Sequence, residues 1–184
     1  MLHNSCPFSL HPRPLEVEGG SHCTEAVRAS LADLRAEHPQ VVITSTWKGS
    51  YAGEVPKAAA GYAAMWRRLE ADGMRVIALG DTPAPGKDPT VADCASGSDP
   101  AACGRSRQRA TATPDPLRRA AASAGVPFID PVDAFCGATR CPGVIGNVLV
   151  YRDDNHVTDA YMQTMTPWIE QRVGALVERE LAAR

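Results

Sequence analysis

Apolar side chains recur at helical spacing in three stretches of the chain. In the first of these stretches, Val27, Leu31 and Leu34 fall on one face of the predicted helix. In the last, Pro167 should bend the helix or split it in two, because proline lacks the N–H that an inner helical turn needs. The spacing predicts helices over residues 24–37, 56–72 and 158–181, and Pro116 near the start and Gly125 at the end predict another over residues 115–125.

Short runs of β-branched and apolar residues alternate with these helices. The run Val41-Val42-Ile43 is typical of a buried strand, since branched side chains pack well on a pleated surface. Runs of this kind predict strands over residues 41–47, 75–79, 126–130 and 148–151. The alternation predicts an α/β fold with α/β/α layers around a mainly parallel sheet. Ligands of such folds bind at the carboxyl ends of the strands.

Length and composition favour one globular domain over residues 1–184. The 184 residues are 44% hydrophobic and 22% charged, which is ordinary for a domain with a sizeable core. The net charge of -2 gives no basic surplus, so we expect no nucleic-acid partner. No apolar run reaches the about 18 residues that a membrane span needs, and the N-terminus has no apolar segment of the signal-peptide type.

Six cysteines lie in loop-like sequence, and an even number favours three disulfides and an oxidising compartment. Reduced thiols or a zinc site are the alternatives. Only one pair comes close to the spacing of zinc ligands, and it has no second pair to match it, so we expect no metal. Pairing of sequence neighbours would give Cys6–Cys23, Cys94–Cys103 and Cys136–Cys141.

The segment from Tyr151 to Thr158 carries the strongest chemical signal. His156 lies between a predicted strand and a predicted helix, and Asp153 precedes it by one turn of chain. A histidine that moves protons near neutral pH needs a carboxylate to fix its tautomer and to stabilise its charged form. The segment therefore predicts an acid–base pair. The alternative is an Asp- and Asn-rich turn before a helix that Thr158 caps.

Several segments together resemble a known family. They are Asn4-Ser5-Cys6-Pro7, Val41 to Trp47 followed by Tyr51, Val76 to Pro83, Cys136 to Asn155, and the block Asp153-x-x-His156-Val157-Thr158. Over nearly the whole chain, the sequence is similar to the SGNH-type (GDSL-like) hydrolase domains at the C-terminal end of membrane-bound acyltransferase-3 proteins. Each motif is short, and the set is fairly specific.

The resemblance implies a Ser-His-Asp triad in acyl-ester chemistry. His156 would take a proton from a serine, and Asp153 would orient the imidazole and stabilise its charged form. The implied reaction is O-acyl transfer or ester hydrolysis, foremost of acetyl groups, on a cell-envelope carbohydrate or glycolipid, without a cofactor. The resemblance also implies an extracytoplasmic location and a membrane acyltransferase domain as a partner.

The nucleophile is the point at which the sequence departs from the family. The family's Gly-Asp-Ser-His block, at the end of its first strand, would precede residue 1, so we expect an N-terminal truncation. Ser21 and Thr82 are alternatives: Ser21 lacks a convincing buried strand before it, and Thr82 is followed by a proline. Because no clear nucleophile is found, we also consider an alternative function. In that alternative the chain is a catalytically inactive carbohydrate-binding or accessory module of the same fold.

Three residues near the end of the first predicted strand are candidates for lining a substrate cleft. They are Ser45, Trp47 and Tyr51. For Trp47, core packing is an equally good interpretation, because the indole is large and apolar.

Overall fold

The computed structural model describes residues 6–10, 21–51, 53–87 and 89–182, without the side chains of residues 21, 22, 50 and 51. The chain divides into two compact units. The first consists of Met1–Asp81, Pro114–Ile129 and Val177–Arg184, and the second of Thr82–Thr113 and Asp130–Leu176.

Short elements predominate outside the first third of the chain. The helices are α1 (Ser21–Glu37), α2 (Val55–Ala71), α3 (Val91–Ala95), α4 (Arg107–Ala110), α5 (Pro116–Ala124), α6 (Val132–Phe135), α7 (Asp159–Thr164), α8 (Thr166–Ile169) and α9 (Ala175–Ala182). The strands are β1 (Val41–Thr44), β2 (Arg75–Leu79), β3 (Gly104–Ser106), β4 (Phe128–Ile129), β5 (Arg140–Pro142), β6 (Val144–Ile145) and β7 (Val148–Leu149). No helix among the described residues is both long and apolar enough to cross a membrane.

A parallel sheet in the spatial order β1-β2-β4 organises the first unit. Its register places Ile43 beside Ile77 and Leu79 beside Ile129. Parallel strands require a crossover between them, and α2 makes that crossover from β1 to β2. The α/β class with a parallel sheet, which the alternation of elements predicts, is confirmed. The predicted third strand is shorter than expected, since only two of its residues pair.

The core of the first unit lies where α2 and α5 pack together against β2. Trp66 and Leu69 of α2 and Leu117 of α5 are fully buried there. Helix α5 begins and ends as its sequence predicts: the Asp115 side chain accepts the Leu117 N–H, and Gly125 closes the helix in the left-handed conformation, with φ 73°.

Antiparallel pairs replace the parallel sheet in the second unit. Strand β3 pairs with β5, and β6 pairs with β7 across Gly146 and Asn147. Both turn residues have positive φ, at 56° and 61°, as a tight hairpin turn of two residues requires. The strand predicted over residues 148–151 is therefore one arm of a hairpin, and Asn147 is a turn residue.

Proline splits the last predicted helix, as expected. Helix α7 ends at Thr164, and α8 begins at Thr166, with Pro167 in its first turn where a missing N–H costs nothing. A π-helical turn, Glu170–Gly174, then leads into α9.

Three disulfides join the cysteines in the neighbour pairing: Cys6–Cys23, Cys94–Cys103 and Cys136–Cys141. The second and third pairs staple the irregular segments of the second unit. Arg107 adds a link between these segments, because its guanidinium lies 2.6 Å from the Asp133 carboxylate and donates to the Gly137 carbonyl at 3.0 Å. Such links restrict segments that have little regular structure of their own.

Candidate active site

A closed loop between β7 and α7 carries the predicted acid–base pair. Tyr151 forms an antiparallel bridge with Val157 at the base of the loop. Beside it, the Thr158 N–H donates to the Val150 carbonyl at 2.9 Å. The Thr158 hydroxyl accepts the N–H of Tyr161 at 3.1 Å and so caps α7. Both ends of the loop are therefore fixed by backbone contacts.

The base of the loop is also anchored in the core of the second unit. The Tyr151 hydroxyl donates to the Pro83 carbonyl at 2.8 Å, and the tyrosine is only 2% exposed. Its ring stacks against Phe135, with centroids 6.0 Å apart. A loop held at its base in this way presents its tip in a defined geometry.

Asp153 and His156 face each other in this loop. Asp153 Oδ2 lies 2.8 Å from His156 Nδ1. Asp153 Oδ1 accepts the backbone N–H of His156 at 2.7 Å and that of Asn155 at 3.0 Å. An aspartate that accepts N–H groups just beyond it forms a local Asx turn, so the short spacing itself brings the carboxylate to the ring. The contact that the spacing predicts is present.

The carboxylate of this pair is held in its charged form. The N–H of Asn155, and after it the N–H of His156, lower the pKa of Asp153 from 3.8 to about 2, and the imidazole of His156 acts in the same direction. Partial burial opposes them by a smaller amount. The hydrogen bond to an ionised carboxylate assigns the proton to Nδ1, which leaves the lone pair of Nε2 available to take a proton.

The second carboxylate of the loop is directed elsewhere. Asp154 Oδ2 lies 3.8 Å from the Lys87 ammonium, whereas Asp153 takes the contact with the histidine. The His156 side chain is 60% exposed and that of Asp153 is 41% exposed. The pair is thus accessible to a ligand from solution, and Asp154 provides a matched neighbour for comparison.

The other predicted lining residues belong to the first unit. Ser45 and Trp47 lie in the loop after β1, and both are exposed. At 55% exposure, Trp47 is not a core residue, so that interpretation of the sequence is wrong. Tyr51 ends the 3₁₀ turn after this loop, and its side chain lies outside the described residues.

Two aspartates, Asp81 and Asp115, link the loops at the carboxyl edge of the sheet in the first unit. The sequence did not predict these contacts. Asp81 Oδ2 accepts the Lys48 N–H at 3.0 Å. The Asp81 N–H donates to Asp115 Oδ2 at 2.8 Å, and Asp115 Oδ1 accepts the N–H of Leu117 at 2.8 Å. The loop that carries Ser45 and Trp47 is therefore tied to the end of the neighbouring strand.

The two alternative nucleophiles lie in different contexts. Ser21 is the first residue of α1, and its side chain lies outside the described residues. Thr82 follows β2, but the next helix begins only at Val91. A nucleophile on a sharp strand-to-helix turn needs the helix at once, and the position of Thr82 does not provide that turn.

Comparison with known proteins places the chain in a family. A family model described as "SGNH domain (fused to AT3 domains)" matches residues 1–171. The chain belongs to this family. The SGNH domain is also similar to a solved structure, the periplasmic domain of the Salmonella ser. Paratyphi A lipopolysaccharide acetyltransferase, with a TM-score of 0.61 and 14% sequence identity.

That structural match covers 80% of this chain and 63% of the Salmonella chain, so the SGNH domain spans less than two thirds of its neighbour. A likeness at this identity shows a common fold. No curated protein matches the chain. The family expected from the sequence motifs is confirmed by the family model.

Metal-ligand groupings are not found in the part of the chain that the structure describes. No three or more His, Cys, Asp or Glu side chains are grouped there as a metal ion would require. The cysteines are all engaged in disulfides.

Proposed function

We propose that this SGNH domain acts in acyl-ester chemistry, with His156 as the proton-transfer group and Asp153 as its orienting partner. The observation that carries the proposal is the 2.8 Å contact between His156 Nδ1 and a carboxylate whose pKa is lowered to about 2. A carboxylate that is ionised at neutral pH favours the imidazolium that forms when Nε2 accepts a proton.

The proposed reaction has two acyl-transfer steps. In the first, Nε2 takes the proton of a serine hydroxyl while the serine oxygen attacks the acyl carbonyl, and the imidazolium returns that proton to the departing alcohol. In the second, Nε2 takes a proton from an acceptor hydroxyl or from water, whose oxygen attacks the acyl-serine. The serine leaves with the proton from the imidazolium, so the domain returns to its starting state.

The nucleophilic serine is proposed to lie outside residues 1–184. The position of Thr82, which no helix follows closely, argues against that residue. Ser21 begins a helix rather than ending a strand of the described sheet. The family's Gly-Asp-Ser-His block is the group expected to supply the hydroxyl.

The proposed acceptor is a hydroxyl of a cell-envelope carbohydrate or glycolipid, and the acyl group is foremost acetyl. Fusion to AT3 domains in the family supports a membrane acyltransferase domain as the partner. Three disulfides and the periplasmic neighbour support an extracytoplasmic location. The neighbour's lipopolysaccharide acetyltransferase activity supports the carbohydrate-linked acceptor.

The test is hydrolysis of p-nitrophenyl acetate by residues 1–184 and by a longer chain that includes the natural sequence upstream. We expect turnover by the longer chain, and a fall in kcat of at least about 100-fold for His156→Ala, since general acid–base catalysis contributes about 10²–10⁴-fold. The matched control is His38→Asn. His38 is exposed with φ 46°, a conformation that asparagine tolerates.

Two results would overturn the proposal. One is full activity in His156→Ala, which would remove the imidazole from the reaction. The other is a longer chain that carries Gly-Asp-Ser-His, is folded, and binds acetylated sugars without turning them over. That second result would instead assign the domain to the non-catalytic binding modules.

A further inference from the structure

An exposed tryptophan stands at the carboxyl end of β1. Trp47 is the most exposed large hydrophobic side chain among the described residues, at 55%, whereas Trp66 is fully buried. Exposure of so much apolar area is unfavourable in water. The carboxyl ends of parallel strands are the usual ligand edge of an open α/β sheet.

Gly49 supports one face of this indole. A Cβ atom on Gly49 would lie 2.6 Å from both Cε2 and Cζ2 of Trp47 and 3.0 Å from Nε1. Equal distances to two bonded ring atoms, with the third atom farther away, place that point over the ring face rather than beyond its edge. The main chain of Gly49 therefore backs the indole, and only a glycine allows so close an approach.

The residue between these two is fixed in place. The Lys48 N–H donates to the Asp81 carboxylate at 3.0 Å, and the lysine side chain is buried, at 5% exposure. Asp81 is itself held by the Asp115 carboxylate at 2.8 Å. Because these contacts hold the backbone at Lys48, between Trp47 and Gly49, the loop loses little conformational entropy when a ligand binds to the ring.

We propose that the open face of Trp47 is a stacking platform for a hexose ring. The π face of an indole carries partial negative charge, and it attracts the C–H groups on the apolar face of a pyranose while the hydroxyls stay in water. A rigid ring on a rigid platform meets the orientational demands of stacking, which an open-chain polyol does not. This inference rests on the proposed function, which makes a carbohydrate the acyl acceptor.

The experiment is an NMR titration of the three tryptophan indole N–H signals with methyl β-D-glucopyranoside, with Trp47 assigned from Trp47→Phe. We expect a saturable shift of the Trp47 signal, while the signals of the buried Trp66 and the half-buried Trp168 stay in place. Sorbitol, which has no ring face, and choline, a cation that also binds aromatic faces, are the comparison ligands.

Two variants test the role of the support. Gly49→Ala should displace the indole and weaken sugar binding about 3- to 10-fold, the range expected for loss of one aromatic contact. Gly174→Ala should bind as the original chain does, because a Cβ there meets no atom within 4 Å. Equal shifts with sorbitol or choline, an unmoved Trp47 signal, or undiminished binding by Gly49→Ala would each overturn the platform.

The two proposals fail separately. Ester turnover that depends on His156 without any sugar-induced shift at Trp47 would remove the platform and keep the acyl chemistry. A saturable shift that persists in His156→Ala, in a chain with no turnover, would keep the platform and remove the acyl chemistry.

Discussion

Substitution of Asp153 by asparagine removes the 2.8 Å contact between the carboxylate and the imidazole, together with a longer ion pair of 3.6 Å to the exposed Arg152. The remaining side-chain oxygen can still accept the N–H groups of Asn155 and His156, which are 3.0 and 2.7 Å from Asp153 Oδ1. The amide nitrogen then faces His156 Nδ1, where it donates a hydrogen bond and favours the tautomer with its proton on Nε2. The loop is retained, and the population of imidazole whose Nε2 is free to take the serine proton falls.

The structure sets the size of the expected loss. A hydrogen bond to a charged partner contributes about 1.5–3 kcal/mol. The exposed fractions of the two side chains, 60% for His156 and 41% for Asp153, place this contact at the lower end, because water competes for both groups. Since about 1.4 kcal/mol corresponds to tenfold in rate, kcat should fall about 10- to 50-fold. That is far less than the about 10⁴-fold loss seen when a buried protease triad is changed in the same way.

The assay is p-nitrophenyl acetate hydrolysis by the longer chain, for which we expect turnover, with kcat and KM measured separately. The loss should appear in kcat, because the carboxylate acts on the imidazolium of the transition state rather than on the bound ester. Asp154→Asn is the matched control, since that carboxylate lies near Lys87 and not His156. A loss confined to KM, or an equal loss in Asp154→Asn, would show that Asp153 does not act through the imidazole.

Two further predictions concern the protonation of Asp153 at low pH and the packing around Gly80. Because the folded pKa of Asp153 is about 2 against an ordinary 3.8, its stabilising contribution is present above about pH 4 and is lost as the pH falls through about 2. An NMR titration of the His156 backbone amide should therefore have its midpoint near 2, and a midpoint near 3.8 would contradict the hydrogen-bonded geometry. Gly80→Ala should destabilise the fold by about 1–3 kcal/mol, since the new Cβ would lie 2.7 Å from the Phe128 ring, and thermal unfolding should show it. Gly174→Ala is its control, and equal melting temperatures for the two variants would contradict the packing.

The parts of the fold that the sequence predicted well depend on residues close together in the chain. The proline and glycine at the two ends of α5, and Pro167 between α7 and α8, act through the backbone of their own turn. The contact between Asp153 and His156 is of the same kind, because an Asx turn closes over three residues. Such features need no information from distant parts of the chain.

Features that depend on contacts between distant parts of the chain could not be predicted from the sequence. The hydrogen bond from the Lys48 N–H to the Asp81 carboxylate joins residues that follow two different strands. Nothing in the local sequence pattern predicts this contact. The exposure of Trp47 likewise depends on the three-dimensional course of the loop after β1. The sequence therefore could not decide between an exposed Trp47 and one packed in the core. Strand β7 is too short for a periodicity to show whether its partner is parallel or antiparallel.

The most direct test of the central claim is covalent labelling with a serine-reactive fluorophosphonate, followed by peptide mass spectrometry on the longer chain. We expect one modified serine, in the Gly-Asp-Ser-His block, and labelling at least about 100-fold slower in His156→Ala, because a serine hydroxyl needs its base to react. Labelling at an unchanged rate in His156→Ala, or at Ser21 or Thr82, would contradict the claim.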